Sequence, residues 1–276
     1  MIPVTVLLLG DTDRTEFRDA RTCLERWGTV HGYADEAQAA AALTEGRIAP
    51  DVLVVAQAFP GQFSHPAIDR LRRLAPLARV LGLMGSWCEG EMRTGMPWPA
   101  VVRTYWHQWT ARCNRELNRL SEGVGSSWAL PPTATEEERL LADVCTGQQH
   151  SASRNHNARP SRGLMVIRTR SQEMAECLSA ACRSQGFATV CQRSIAAARI
   201  EGATAAIFDA GNLSQAEYDD LQRFAAALRP APTIALLTFP RAEDHARARS
   251  VGAATVLSKP FAVEDLFWEL DDVTES

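Results

Sequence analysis

Lysine is almost missing from this chain: Lys259 is the single lysine, and the other twenty-eight of the twenty-nine basic residues are arginine. An excess of positive charge is missing too. Residues 1–122 carry 14 basic and 14 acidic groups, residues 123–162 carry 4 and 4, and residues 163–276 carry 11 and 15, so the net charge of −4 sits in the last stretch. Neither half has the surplus cations that a phosphate backbone demands, which argues against nucleic acid as a partner. The seven cysteines include no Cys-x-x-Cys pair and no Cys/His spacing of a structural zinc site. No bound metal or disulfide framework is expected, and the chain reads as reduced and cytoplasmic. No apolar run approaches membrane-spanning length. The opening run Val4–Leu9 has no basic flank or cleavage site and reads as a strand.

What is present suits a globular protein of two domains. Of 276 residues, 46% are hydrophobic and 22% charged. In the second half, short apolar runs at 164–167, 188–191, 205–208 and 233–237, and a fifth from Val256 ending in Lys-Pro, alternate with helical patterns. Met174, Leu178, Ala181 and Cys182 share one helical face before Gly186. Val263, Leu266, Phe267 and Leu270 share another. A helix is also expected at 195–200. Continuous apolar strands alternating with helices predict a parallel sheet covered on both faces. The first half repeats the plan, with strands expected at 4–9, 29–33, 51–55, 80–84 and 101–106. The Gly-, Pro- and Trp-rich stretch 86–99 carries no fourth helical pattern. Between the halves, Thr135 to Glu138 is a capping-box signature for one short helix holding Leu140, Leu141 and Val144, and the polar run 147–162 is expected to be a flexible tether. The expected fold is α/β: two doubly wound, five-stranded parallel sheets in domains 1–122 and 163–276, joined by 123–162.

In the second half Asp209 closes the third strand, Thr238 the fourth, and Lys259-Pro260-Phe261 the fifth. In an open sheet of this kind ligands collect at the carboxyl ends of the strands. These positions resemble those of the response-regulator receiver (CheY-like) superfamily, with its flavodoxin-like fold, over about 110 residues. The resemblance implies that Asp209 matches the phospho-accepting aspartate, Thr238 the hydroxyl that senses the phosphoryl group, and Lys259 the ammonium that pairs with it. It also implies an acidic pair after the first strand to hold Mg²⁺, where this chain has Arg168, Thr169 and Arg170. Two arginines there should exclude the cation and pair with Asp209 themselves. In the first half Phe59-Pro60-Gly61 matches the turn after the third strand, but Ala56 stands at the acceptor position and Tyr105-Trp106 replaces Lys-Pro. Asp11 and Asp13 remain where the acidic pair would be, and without an acceptor they read as capping and solvated.

Two functions follow from this resemblance. One is a non-enzymatic bacterial signalling adaptor, without cofactor, that acts by associating with another protein, its phosphorylation weak or lost. The other is a response regulator phosphorylated on Asp209, with Mg²⁺, by a histidine kinase. No helix-turn-helix, kinase motif or GGDEF-like stretch is present as an output domain. Trp87, Trp98, Tyr105, Trp106 and Trp109 fall close together and read either as a plug for the missing helix or as a partner surface. Cys88 with His107 is the one arrangement suggesting an activated thiol. Arg112, Arg115 and Arg119, with Glu116 nearby, read as a solvated helix face.

Overall fold

A computed structural model describes residues 3–91, 95–99, 101–123, 125–131, 133–135, 138, 161–193, 200–211 and 214–275. The short helix expected around 140–144, nearly all of the expected tether and most of the helix expected at 195–200 lie outside these residues. The chain divides into two compact units, Met1–Gln149 and His150–Ser276.

The first unit holds strands β1 (Val4–Leu9), β2 (Gly28–Tyr33), β3 (Val52–Gln57), β4 (Arg79–Met84) and β5 (Val102–Tyr105). All pair in parallel, in the order β2-β1-β3-β4-β5. Helices α1 (Arg18–Glu25), α2 (Glu36–Thr44), α3 (His65–Leu74) and α4 (Trp106–Ser121) connect or flank them. β3 is buried from end to end, as its unbroken apolar run requires of a strand covered on both faces. α1 buries Ala20, Cys23 and Leu24 and turns Arg18, Asp19 and Arg21 outward. α2 begins where Asp35 accepts from the Gln38 amide, and α3 where Ser64 accepts from that of Ala67.

Trp106 opens α4 rather than ending β5, and α4 is no solvated face. Glu116 is fully buried, with Arg115 and Arg119 nearly so. Glu116 Oε1 accepts from Arg115 Nε at 2.9 Å and from Arg119 Nη1 at 3.2 Å. Its Oε2 accepts from Ser126 Oγ at 2.6 Å and the Ser127 amide at 2.9 Å. The chain after α4 therefore folds back onto it. A 3₁₀ turn at Ser127–Ala129 brings Trp128 against Trp109, ring centroids 5.8 Å apart, with both side chains buried. Ser126, Ser127 and Trp128, which fall in the expected linker, are buried here against α4. An Arg/Glu pattern along a helix looks like a surface pair until a returning segment covers it.

The second unit repeats the architecture with β6 (Leu164–Arg168), β7 (Ala188–Gln192), β8 (Ala203–Asp209), β9 (Thr233–Thr238) and β10 (Thr255–Lys259). They are parallel in the order β7-β6-β8-β9-β10. Its helices are α5 (Gln172–Ser184), α6 (Gln215–Ala227), α7 (Ala242–Ser250) and α8 (Val263–Glu275). Ser171 and Ser214 cap α5 and α6 by accepting from the amides of Met174 and Glu217. Val166, Ala206, Phe208, Leu221, Phe224, Ala235 and Leu237 form one core cluster. Arg162, the last residue of the expected tether, is anchored here. Its guanidinium lies 4.5 Å from the Phe187 ring centroid and pairs with Asp271. Both units are thus flavodoxin-like, doubly wound five-stranded sheets.

Candidate functional site

The carboxyl edge of the second sheet brings Asp209 and Lys259 together. Asp209 ends β8 and Lys259 ends β10, on either side of β9. Lys259 Nζ donates to Asp209 Oδ1 at 2.5 Å and to the Ala210 carbonyl at 2.8 Å. The flexible stem lets a point charge reach across β9 and serve two acceptors, which a planar guanidinium fork does less readily. Thr238 stands at the same edge, in register with Lys259 and open to solvent. The hydroxyl that reaches Asp209 belongs instead to Thr169, whose Oγ1 donates to Oδ2 at 2.6 Å. Next to Thr238, Phe239 takes a φ of 44° and shows its ring to solvent. This left-handed backbone is uncommon for a bulky residue.

The expected role of the two arginines is corrected. Arg168 turns toward the β7 edge, where Nη1 donates to the carbonyls of Gln192 at 3.3 Å and Arg193 at 2.5 Å. Arg170 is exposed and lies 3.9 Å from both Glu217 and Asp220. Thr169, the residue between them, is the one that faces Asp209. Magnesium needs several hard oxygen ligands in near-octahedral array. Here the Asp209 carboxylate is shared between an ammonium and a hydroxyl, and guanidinium groups stand where the resemblance implies acids. Among the described residues no group of three or more His, Cys, Asp or Glu side chains could hold a metal ion. The residues present do not fit Mg²⁺.

At the carboxyl edge of the first sheet Ala56 is fully buried. Gly10 (φ 118°) sits so close that a Cβ there would lie 2.5 Å from the Ala56 carbonyl oxygen. Asp11 Oδ1 accepts from the Asp13 amide at 3.3 Å, a local turn contact. The acid that crosses the edge is Glu16. Its Oε2 accepts from Ser86 N at 2.9 Å and Ser86 Oγ at 3.0 Å, which ties the loop after β1 to the loop after β4. Below this, Gln57 contacts Glu91 and the Cys88 thiol, and Glu91 pairs with Arg103.

The aromatic group separates into its two readings. Trp98, Trp106 and Trp109 are buried, which corrects these three from partner surface to packing, while Tyr105 is half-buried. Trp98 Nε1 donates to the Phe63 carbonyl at 3.0 Å, and Tyr105 stacks on His107 with centroids 5.8 Å apart. Trp87 alone stands out, at 75% exposure. The activated-thiol arrangement is also overturned. Cys88 is buried, and burial pushes its thiol up to about 11. Burial likewise pushes His107 down to about 4, so it is neutral at pH 7, with Nε2 3.3 Å from Glu89 Oε1.

No family model matches the chain, and a comparison with curated proteins found no match. Similar solved structures include full-length FixJ from B. japonicum, at 18% identity over 42% of this chain and 59% of that one, with a TM-score of 0.34. A two-component system response regulator/GGDEF domain protein shares 14% identity over 99% of this chain and 98% of its own, TM-score 0.37. Full-length ShkA in complex with AMPPNP shares 15% over 98% of this chain and 50% of its own, TM-score 0.33. The chain thus spans 59% of FixJ and half of ShkA. Likenesses this slight carry no inference about its activity or partners.

Two site residues escaped the sequence reading. Thr169 was visible only as the uncharged member of Arg168-Thr169-Arg170. Glu16 carried no signal, because its partner Ser86 is 70 residues away.

Proposed function

We propose that this chain is a non-catalytic signalling protein built from two receiver-like units, acting by protein–protein association and no longer phosphorylated at Asp209. The observation that carries the reading is the double engagement of Asp209: Lys259 on one oxygen at 2.5 Å, Thr169 on the other at 2.6 Å. Charge-assisted hydrogen bonds are short and strong, and they stabilise the carboxylate as it stands. Transfer of a phosphoryl group onto it needs a cation to neutralise the charge gathering on the transferred oxygens. Without a fitting Mg²⁺ site, one ammonium has to balance both Asp209 and any incoming phosphoryl group. Ala56 in the first unit has no nucleophilic atom in its side chain.

A second reading rests on Thr238 and Lys259, which share one edge of the second sheet with Asp209. It makes the chain a response regulator phosphorylated at Asp209 with Mg²⁺. Incubating the full chain with acetyl phosphate and Mg²⁺, with Asp209→Asn as control, separates the two. The adaptor reading expects no acyl-phosphate mass on the Asp209 peptide; its appearance, absent from the control, establishes the second reading.

A further inference from the structure

The carboxyl edge of the first sheet carries the two aromatic rings most open to solvent among the described residues of that unit, Trp87 at 75% and Phe59 at 51%. They follow neighbouring strands: Gln57 pairs with Met84 in register, and Phe59 and Trp87 stand just beyond them. The loops touch, since the Gly85 amide donates to the Gln57 carbonyl at 2.8 Å. Exposed Met96, its carbonyl oxygen 2.9 Å from His65 Nε2, adds apolar surface at the start of α3.

Scattered exposed apolar residues are ordinary. Three features set these apart. The backbone beneath both rings is pinned: the Ala58 amide donates to Gln62 Oε1 at 2.7 Å under Phe59, and Ser86 beside Trp87 is held twice by Glu16. A ring presented on fixed backbone loses little freedom on binding. Among the described residues the rim is predominantly acidic. Asp11, Asp13, Asp35 and Glu89 are exposed on the loops of this edge; of the exposed cations, Arg14 pairs with Glu16 at 3.3 Å and Arg18 opens α1 beside exposed Asp19. His107, 3.3 Å from Glu89, adds no positive charge at neutral pH. Finally, the edge has no acceptor chemistry to serve, because Ala56 stands where the resemblance implies aspartate.

We propose that this edge docks a polypeptide segment bearing a large apolar side chain flanked by arginine or lysine. The apolar residue packs on Trp87 and Phe59, and the cations meet the carboxylate rim. The proposal rests on the reading that the protein acts by association, and it names the chemistry of the partner.

The test uses the full chain and a fluorescein-labelled hexapeptide with a Leu-Phe centre between two arginines on each side. Fluorescence anisotropy is expected to show saturable binding. Trp87→Ala, an exposed site that should fold normally, weakens it about tenfold. Asp11→Asn with Asp13→Asn, or 0.5 M salt, weakens it several-fold, at a Debye length well below 10 Å. A peptide with glutamate for arginine does not bind. The proposal is overturned by no saturable binding up to about 1 mM, the affinity of a contact worth only some 4 kcal/mol. Equal affinity for the glutamate peptide, or binding indifferent to Trp87→Ala, overturns it as well. Self-association lost in Trp87→Ala would assign the edge to a second copy and overturn the basic-segment partner. Acetyl-phosphate labelling reads the other unit, so either result fails without the other.

Discussion

Thr169 Oγ1 lies 2.6 Å from Asp209 Oδ2, forty residues away in sequence, and completes a pair of donors whose other member is Lys259. The ion pair is largely shielded, with side-chain exposures of 17% for Lys259 and 10% for Asp209. Removing one partner of such a pair leaves the other charge poorly solvated. Lys259→Ala is expected to destabilise the second unit by about 3 kcal/mol. Thr169→Ala, which deletes one hydrogen bond, should cost about 1 kcal/mol. Urea unfolding of the full chain followed by circular dichroism checks both. A Lys259→Ala transition at the parent midpoint would show that the pair contributes nothing.

The Glu116 carboxylate is expected to hold the chain after α4 in place. Burial alone would raise its pKa, but Arg115, Ser126 and Arg119 outweigh burial and keep it below the ordinary carboxylate range. Its stabilising contribution is therefore present above the unfolded value and lost as pH falls through the lowered folded one. Glu116→Gln removes the charge that Arg115 and Arg119 share and should cost the first unit about 3 kcal/mol at pH 7. Cleavage between residues 123 and 131 under limited proteolysis should speed up in this variant and in Trp128→Ala.

Glu269 on α8 sets an opposite pH dependence in the second unit. Its carboxyl is buried and accepts from Thr255 Oγ1 at 2.7 Å. Burial, the largest influence, raises its pKa to about 7. A raised carboxyl favours the fold fully below the unfolded pKa, and that contribution disappears as pH rises through 7. Between pH 5 and 8 the second unit should lose stability on the order of 3 kcal/mol from this group. Glu269→Gln should flatten the profile and raise the melting temperature at pH 8. A parent profile that rises across this window would contradict the assignment.

Thiol reactivity should divide by burial. Cys88, with its thiol near 11, is expected to resist iodoacetamide at pH 7.5 in the folded chain, while exposed Cys177 and Cys191 are alkylated. Peptide mass spectrometry reads each site. Rapid modification of Cys88 would reopen the activated-thiol reading.

Much of the second unit was legible because its signals are local. Apolar runs such as 205–208 and the one starting at Val256 mark strands buried on both faces, and Gly186 marks the end of the helix that carries Met174, Leu178 and Cys182. Asp209 and Lys259 were legible as a pair because a parallel sheet puts all its strand ends along one edge. Thr169 was not, since a threonine flanked by arginines says nothing about which of the three side chains faces inward. That follows from the two-residue alternation of the strand end: Arg168 turns toward β7, and its neighbour turns to Asp209.

The amino-acid order by itself determined the α/β plan, the two five-stranded sheets, the lone ammonium at a strand end and the missing acceptor at Ala56. These depend on periodicity and on residue identity, which need no neighbour distant in the chain. Long-range packing is what makes Glu116 and Arg115 interior, leaves Trp87 exposed while Trp98, Trp106 and Trp109 are packed, and brings Glu16 to Ser86. The reason is common to all of them. Whether a polar or aromatic side chain is covered depends on which remote segment folds over it, and no local pattern encodes that.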